Sequence, residues 1–295
     1  VDTALRANGQ WVPFDPPYIG GRSLGGLVAD GASGPLWAGY GELRNHVLGM
    51  TVVTGDGRVL RLGGRVVKNV AGFDLLKPLT GSRGSLAVMT SVTLRAFPVP
   101  PEELVLVARG SSIDELLSFA LQVGTAPVLP VSCVLADAGE PTLVARLHGA
   151  PATVAADRAT IEAHLGKTLE SPPSEDAGAL LDRIRDHAAG ARTVVSASVR
   201  PSRLGQLLAA AEALQPAETM IDSYAALVRF GMPGAAGDIQ AFAAEVEALG
   251  GATRVERTPD ESRSNGGGRA GEREGALVDR LRLAFDPEGV LWPAR

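Results

Sequence analysis

Residues 20–34 read Gly20-Gly21-Arg22-Ser23-Leu24-Gly25-Gly26-Leu27-Val28-Ala29-Asp30-Gly31-Ala32-Ser33-Gly34. Glycine stands where backbone must approach a ligand closely or take a positive φ, and successive exposed peptide N–H groups form an anion-binding concavity. Leu24 to Ala29, between the clusters, has the composition of a helical turn whose N-terminus favours a diphosphate. A set of tight surface turns has the same composition, so the stretch alone leaves both readings open. Two further glycine groups follow, Gly39-Tyr40-Gly41 ahead of Arg44 and Asn45, and Gly81-Ser82-Arg83-Gly84-Ser85 directly before an apolar run that begins at Leu86. All three fall in the first third of the chain, separated by strand signals, as expected if several loops converge on one extended ligand.

Those strand signals are clear. Val47 to Thr54 is rich in β-branched residues and is followed by Gly55-Asp56-Gly57 and then by Arg58 to Leu62, a hairpin pattern. Leu86 to Phe97 alternates apolar and polar residues over its second half, placing Val92, Leu94 and Ala96 on one face of a half-buried strand. Pro98-Val99-Pro100-Pro101 then marks a boundary, because closely spaced prolines fit neither a helix nor a central strand.

Beyond the boundary the pattern changes to alternating strands and helices. Leu104–Ala108 reads as a strand, and Ser112–Val123 as a helix with Ser111 or Ser112 as cap and Gly124 as stop. Val131–Leu135 and Thr142–Leu147 read as strands, with a helix over Ala152–Leu165. A similar order recurs in Thr193–Val199, Leu204–Leu214, Tyr224–Phe230, Ile239–Leu249 and Ala252–Glu256. The expectation is two βαβ-type halves of an α+β domain, with one sheet covered by helices on one face. Thr258–Glu274 is polar and glycine-rich and reads as a loop; Leu277–Phe285 reads as an amphipathic helix stopped at Asp286-Pro287. Gly266, Gly268 and Gly271 formally satisfy a G-x-G-x-x-G pattern, but no strand leads into them and no acidic residue follows at the needed place.

Composition narrows the function classes. The chain has 295 residues, with 28 Lys and Arg against 33 Asp and Glu, a net charge of −5. That sign argues against an electrostatic grip on nucleic acid. The 36 glycines and 20 prolines exceed the average share of about 12% by more than half. The single cysteine, Cys133, excludes a disulfide framework and a thiolate-held iron–sulfur site in this chain, since each needs several thiolates. His46, His148, His164 and His187 stand singly without metal-ligand spacing, and no nucleophile–base set emerges. No apolar run of about 18 residues suggests a membrane span and no signal peptide is visible. A cytoplasmic protein is expected, held at the inner face of a membrane only through partners. The start at Val1 suggests that something upstream has been removed.

Several segments together resemble FAD-linked oxidases of the vanillyl-alcohol oxidase type, which carry a PCMH-type FAD-binding domain. Ser23-Leu24-Gly25-Gly26, Gly31, Gly34, Tyr40-Gly41, Arg44-Asn45-His46-Val47-Leu48-Gly49 and Gly81-Ser82-Arg83-Gly84-Ser85-Leu86-Ala87-Val88 occur in that family's order. Val66-Val67-Lys68-Asn69-Val70-Ala71-Gly72-Phe73-Asp74-Leu75 looks most like the FAD-binding subunits of bacterial glycolate oxidases. Phe285 to Pro293 resembles the closing motif, with Trp292 where an Asn is usual. The Arg-Gly-Gly-Gly-like turn of the family's N-terminal half has no counterpart before Gly20, so the chain resembles the family from the second half of the flavin domain onward.

The resemblance implies a fold class of α/β plus α+β: a partial FAD-binding domain over 1–101, an antiparallel-sheet cap domain over 102–259, a flexible loop over 260–275, and a C-terminal helix over 276–295 returning to the flavin domain. It implies FAD as cofactor, with Gly25, Gly26, Gly31 and Gly34 lining the diphosphate and ribityl chain, Ser23 adding a hydroxyl, Arg44 as a bidentate partner, and Val88 presenting backbone to the flavin. Lys68 and Asn69 would shape the pocket. The implied activity is glycolate oxidation to glyoxylate, with electrons passed to an iron–sulfur subunit and a second flavin subunit as further partner. A stand-alone dehydrogenase for another 2-hydroxy acid, or a structural subunit that has lost FAD, are the alternatives. No catalytic base is assigned.

Overall fold

A computed structural model describes residues 1–18, 20–64, 74–259 and 272–291, of which 272–276 by backbone alone. The expectations for Lys68, Asn69, Gly72, Trp292 and the Gly266–Gly271 pattern lie outside the described residues. The chain divides into two compact units, Val1–Val99 with Arg269–Arg295, and Pro100–Gly268.

Unit 1 begins with helix α1 (Asp2–Arg6) and strand β1 (Gln10–Trp11). Helix α2 (Leu24–Asp30) follows from its ends: Ser23 Oγ accepts from Gly26 N at 3.0 Å, and Gly31, at φ 66°, donates back to Leu27 O and Val28 O. This serine cap and left-handed glycine stop fix the helix at seven residues. Short helices α3 (Trp37–Tyr40) and α4 (Leu43–His46) lead into β2 (Val47–Thr54) and β3 (Val59–Gly63), then α5 (Leu76–Leu79), β4 (Ala87–Leu94) and β5 (Phe97–Pro98). β2 lies between β3 and β4, antiparallel to both, and β1 pairs with β5. The expected hairpin is β2–β3, and the strand expected to run from Leu86 to Phe97 is divided into β4 and β5.

Val28, Leu43, Val52, Leu79 and Leu86 form the core of unit 1 with Phe285 of the C-terminal helix, Glu272–Phe285. That helix is fastened to the hairpin: Gly55 N donates to Phe285 O at 2.8 Å and Arg58 Nη2 to Ala284 O at 3.1 Å. Leu281 packs on the core as the helical spacing predicts. Leu277 does not, standing 57% exposed.

Unit 2 contains one seven-stranded sheet built from β6 (Glu102–Arg109), β7 (Ser132–Asp137), β8 (Thr142–Gly149), β9 (Thr193–Ser198), β10 (Glu218–Asp222), β11 (Leu227–Met232) and β12 (Ala252–Arg257), in the spatial order β12-β9-β11-β10-β7-β8-β6. Every neighbouring pair is antiparallel. The sheet contains two copies of one β-α-β-β pattern. β6 and β7 flank β8 and are joined through α6 (Ile113–Val123), while β9 and β10 flank β11 and are joined through α9 (Leu204–Ala211). The halves meet where β7 pairs with β10. Helices α7 (Pro151–Leu165) and α10 (Ile239–Ala248) complete the first layer over a core that includes Leu106, Leu116, Ile161, Leu207, Phe230 and Phe242.

The expectation of helices on one face is corrected by α8 (Ser174–Arg185). Its Ala177, Leu180 and Ile184 pack with Val105, Val107, Val134 and Val144, which alternate with the first core's residues and so point to the other face. β10 was not foreseen either, because Glu218-Thr219-Met220-Ile221-Asp222 is too polar to stand out as a strand.

Candidate functional site

The site builds on α2. Its second half meets the turn at 81–84: Gly81 N donates to Val28 O at 3.0 Å and Arg83 N to Ala29 O at 2.7 Å. A Cβ at Gly31 would lie 3.0 Å from Gly81 Cα, so glycine is required on steric as well as conformational grounds. Asp30 joins the two loops through its side chain, with Arg22 Nη2 at 3.0 Å from Oδ2 and Arg83 Nε at 3.7 Å from Oδ1. Two of the three glycine groups are thus brought together, with two guanidiniums on one carboxylate between them. Arg83 itself sits at φ 53°. A left-handed non-glycine residue carries a cost of roughly 1 kcal/mol that glycine would avoid, which points to a use for its side chain.

The opposite end of α2 is open. At Gly20, Gly21 and Gly25 an added Cβ would meet nothing within 4 Å. The N–H groups of Leu24 and Gly25 precede the first helical hydrogen bond and have no protein acceptor among the described residues. Ser23 Oγ is committed to Gly26 N, so it holds the turn together rather than reaching outward. Open backbone donors at Leu24 and Gly25 fit an anionic group such as a diphosphate.

The remaining expected residues lie elsewhere in unit 1. Gly34 is buried against the chain itself, since a Cβ there would come within 1.8 Å of Asp15 O. Arg44, on α4, is 54% exposed and paired with Glu42 at 2.7 Å. Val88 is 55% exposed on β4, an edge strand of its sheet. The Gly39-Tyr40-Gly41 group is held by rings: Tyr40 packs edge-on against Trp11 and Phe97, and His46 against Phe97. His46 Nε2 lies 3.2 Å from Gly41 O, and burial lowers the pKa of this imidazole against that hydrogen bond. Arg22, Asp30 and Arg83 were not singled out by the sequence, although their position inside or beside glycine clusters was a usable signal.

Unit 2 adds polar groups on the face of the sheet that α8 covers in part. Arg146 on β8 and Arg229 on β11, the central strands of the two halves, are both buried and each is paired with a glutamate from the outer strand, Glu103 and Glu256. Burial works against Glu103's charge, but the hydrogen bond from His148 and the charges of Arg146 and His148 outweigh it and hold the carboxyl at about 2. Cys133 is fully buried, and that burial pushes its thiol up to about 12, so it is no nucleophile. No helix among the described residues is long and apolar enough to cross a membrane.

Comparison with known proteins shows what part of unit 1 is similar to. Residues 1–63 match the family described as FAD binding domain. The fold of the chain is that of alkyldihydroxyacetonephosphate synthase, with a TM-score of 0.70 at 15% identity over 98% of this chain and 61% of that one. The matched residues form the first part of unit 1, and FAD is the cofactor that the match supports. Among individual relatives, the chain is 38% identical to glycolate oxidase subunit GlcE of Escherichia coli over 161 residues, 54% of this chain and 44% of that protein. It is 30% identical to glycolate oxidase subunit GlcD of Bacillus subtilis over 141 residues, 48% of this chain and 30% of that one. D-lactate dehydrogenase of Archaeoglobus fulgidus is 36% identical over 110 residues, 37% of this chain and 25% of that enzyme. The chain spans less than half the length of these curated relatives.

Proposed function

We propose that this chain is the FAD-binding subunit of an assembly that oxidises a 2-hydroxy acid, glycolate to glyoxylate, and passes the electrons to a partner iron–sulfur subunit beside a second flavin subunit. The observation that carries the reading is the open, donor-bearing turn at Gly20–Gly25 next to the Arg22–Asp30–Arg83 junction. When bound, FAD supplies the two-electron acceptor for the hydroxy acid. The chain's own residues then have these tasks. The N–H groups of Leu24 and Gly25 donate to the diphosphate, and Arg22 and Arg83 balance its charge, a role that planar guanidiniums fill better than lysine. Asp30 holds both arginines in place, and Ser23 keeps the turn closed. Arg44, engaged with Glu42, serves the surface in this reading. With its one thiol buried, the chain holds no thiolate cluster of its own, so onward transfer needs the partner. The likeness to a glycolate oxidase subunit favours glycolate over D-lactate.

The test is the flavin absorbance of the purified full chain, followed by dye reduction with glycolate and with D-lactate, alone and with its candidate partner subunits. Stoichiometric FAD and glycolate-dependent reduction that needs the partners are expected. Protein that neither retains nor takes up FAD would overturn the cofactor assignment. A flavin that no 2-hydroxy acid reduces would overturn the activity.

A further inference from the structure

After α8 the chain turns back onto the sheet of unit 2 over residues 186–192, and this turn is held by charge more than by apolar burial. Its apolar contacts are few: Ala188, Ala191 and Val194 form a small cluster of their own. Ala188 sits at φ 61° without being glycine, a strained conformation for an L-residue. The turn rests on Gly231 of β11, where an added Cβ would come within 2.6 Å of Ala188 Cβ and 3.3 Å of Ala191 Cβ. Two ionisable side chains fasten it. Ala188 N donates to Glu218 Oε2 of β10 at 3.0 Å. Arg257 Nη1, at the end of β12, donates to Ala188 O, Ala189 O and Ala191 O at 3.3, 3.0 and 2.8 Å. A segment with so little buried apolar area belongs to the low-stability end of a fold, where opening does not require the core to unfold.

His187 is enclosed by the closed turn, 4% exposed, with Nδ1 3.8 Å from Glu218 Oε2. Among the described residues, the charged groups that face it are Glu218 on β10 and Asp137 on β7, which favour a proton on the ring, and Arg229 on β11, which opposes one. Asp186, in the same segment, is engaged by Arg185, and Arg229 is paired with Glu256 of β12. Burial is the largest influence on the imidazole and keeps it neutral down to about 4. Lifted into water with the turn, it would titrate at its ordinary 6.5.

We propose that the 186–192 turn is an acid-sensitive latch, which mild acid opens locally through protonation of His187 in the open form, uncovering Gly231 on β11 while the sheet and its helix-covered core stay folded. The inference concerns unit 2 alone and stands whether or not the flavin reading holds. Its sign follows from proton uptake: the open turn binds a proton that the closed turn refuses, so falling pH favours opening. Between about pH 7.5 and about pH 5.5 the open fraction should rise roughly tenfold, because a group at 6.5 gains most of its proton over that interval and one at about 4 gains almost none.

Amide hydrogen exchange of the full chain at those two pH values, corrected for intrinsic rates, is the test. Residues 187–192 should exchange at least about tenfold faster than residues 228–230 of β11 at both pH values, the mark of local opening. Their corrected rate should rise roughly tenfold on acidification. His187→Gln, which keeps a neutral polar side chain, should erase that rise. Arg257→Gln, which removes the clamp on the three carbonyls, should speed exchange at both pH values and leave the ratio between them as it was. Protection of 187–192 equal to that of 228–230, a corrected rate that does not change with pH, or a rise that persists in His187→Gln would overturn the proposal.

Discussion

Gly25→Ala separates folding from cofactor binding by sign. Gly25 is the second residue of α2, and its added methyl would meet no protein atom within 4 Å. Alanine in place of glycine in a helix is worth up to about 1 kcal/mol, and about half of that is a fair figure for a first-turn position. The apo-protein should therefore hold its stability or gain a degree or two in Tm, on the scale of about 2–4 °C per kcal/mol for domains of this size. In the proposed reading the same methyl stands where the diphosphate approaches the backbone. Displacing one charged hydrogen bond of about 1.5–3 kcal/mol weakens binding by roughly 10- to 100-fold. Gly34→Ala is the contrast, since its Cβ would sit 1.8 Å from Asp15 O and force the backbone apart. That variant should lose about 3 kcal/mol or more of apo stability. Thermal melts of the apo forms and FAD titrations followed by flavin fluorescence, on the same preparations, measure both quantities. A Gly25→Ala protein that binds FAD as tightly as the parent would refute the placement of the diphosphate at this turn.

Ser23→Ala removes the cap on Gly26 N and should cost about 1 kcal/mol, with Ser23→Asp restoring most of it in urea melts; equal stability of all three would show that the cap is idle. Phe285→Ala empties a core position that fastens the C-terminal helix to unit 1 and should cost roughly 3 kcal/mol. A loss below about 1 kcal/mol would mean that the helix is not held there. His187, 3% exposed, is lowered from 6.5 to about 4, chiefly by burial, with Glu218 opposing. Between pH 6.5 and about 4 the unfolded chain takes up a proton that the folded chain refuses, so stability falls with falling pH by up to roughly 3 kcal/mol. His187→Gln should flatten that part of the stability profile, and an unaltered slope would count against this assignment.

The legible parts of the fold were those written in periodicity and punctuation. The Gly55-Asp56-Gly57 turn between β-branched runs announced β2–β3, and Ser112 with Gly124 framed α6. The repeated strand–helix order announced two related halves. What stayed hidden was decided by partners. β10 is a strand because β7 and β11 pair with it on either side, not because its sequence alternates. Nor does helix α8 declare which face it covers; Val105, Val107, Val134 and Val144 decide that by pointing away from the first core. In the candidate site the glycine clusters were visible, while the junction that Asp30 makes with Arg22 and Arg83 depends on a turn some fifty residues downstream folding back onto α2. No local pattern encodes that return.

The glycines of unit 1 also explain why their clustering was ambiguous. Some are demanded by the fold. Gly34 clears Asp15, Gly55 clears Asp286, and Gly63, at φ 66°, clears Leu48 O. For each of these a side chain is excluded by backbone or packing, so surface-turn and ligand-loop readings cannot be told apart by composition. Gly20 and Gly25 are different, because they take no left-handed φ and nothing lies within 4 Å of a Cβ at either. A helical glycine in open space is the less stable choice by up to about 1 kcal/mol against alanine, so folding does not account for it. The remaining physical use for a missing side chain is room for something outside the chain. Gly25 has that room beside the N–H groups of Leu24 and Gly25, which have no acceptor among the described residues, and in the proposed reading the FAD diphosphate fills it. The glycines proposed to bind are thus those without a structural reason in the folded chain.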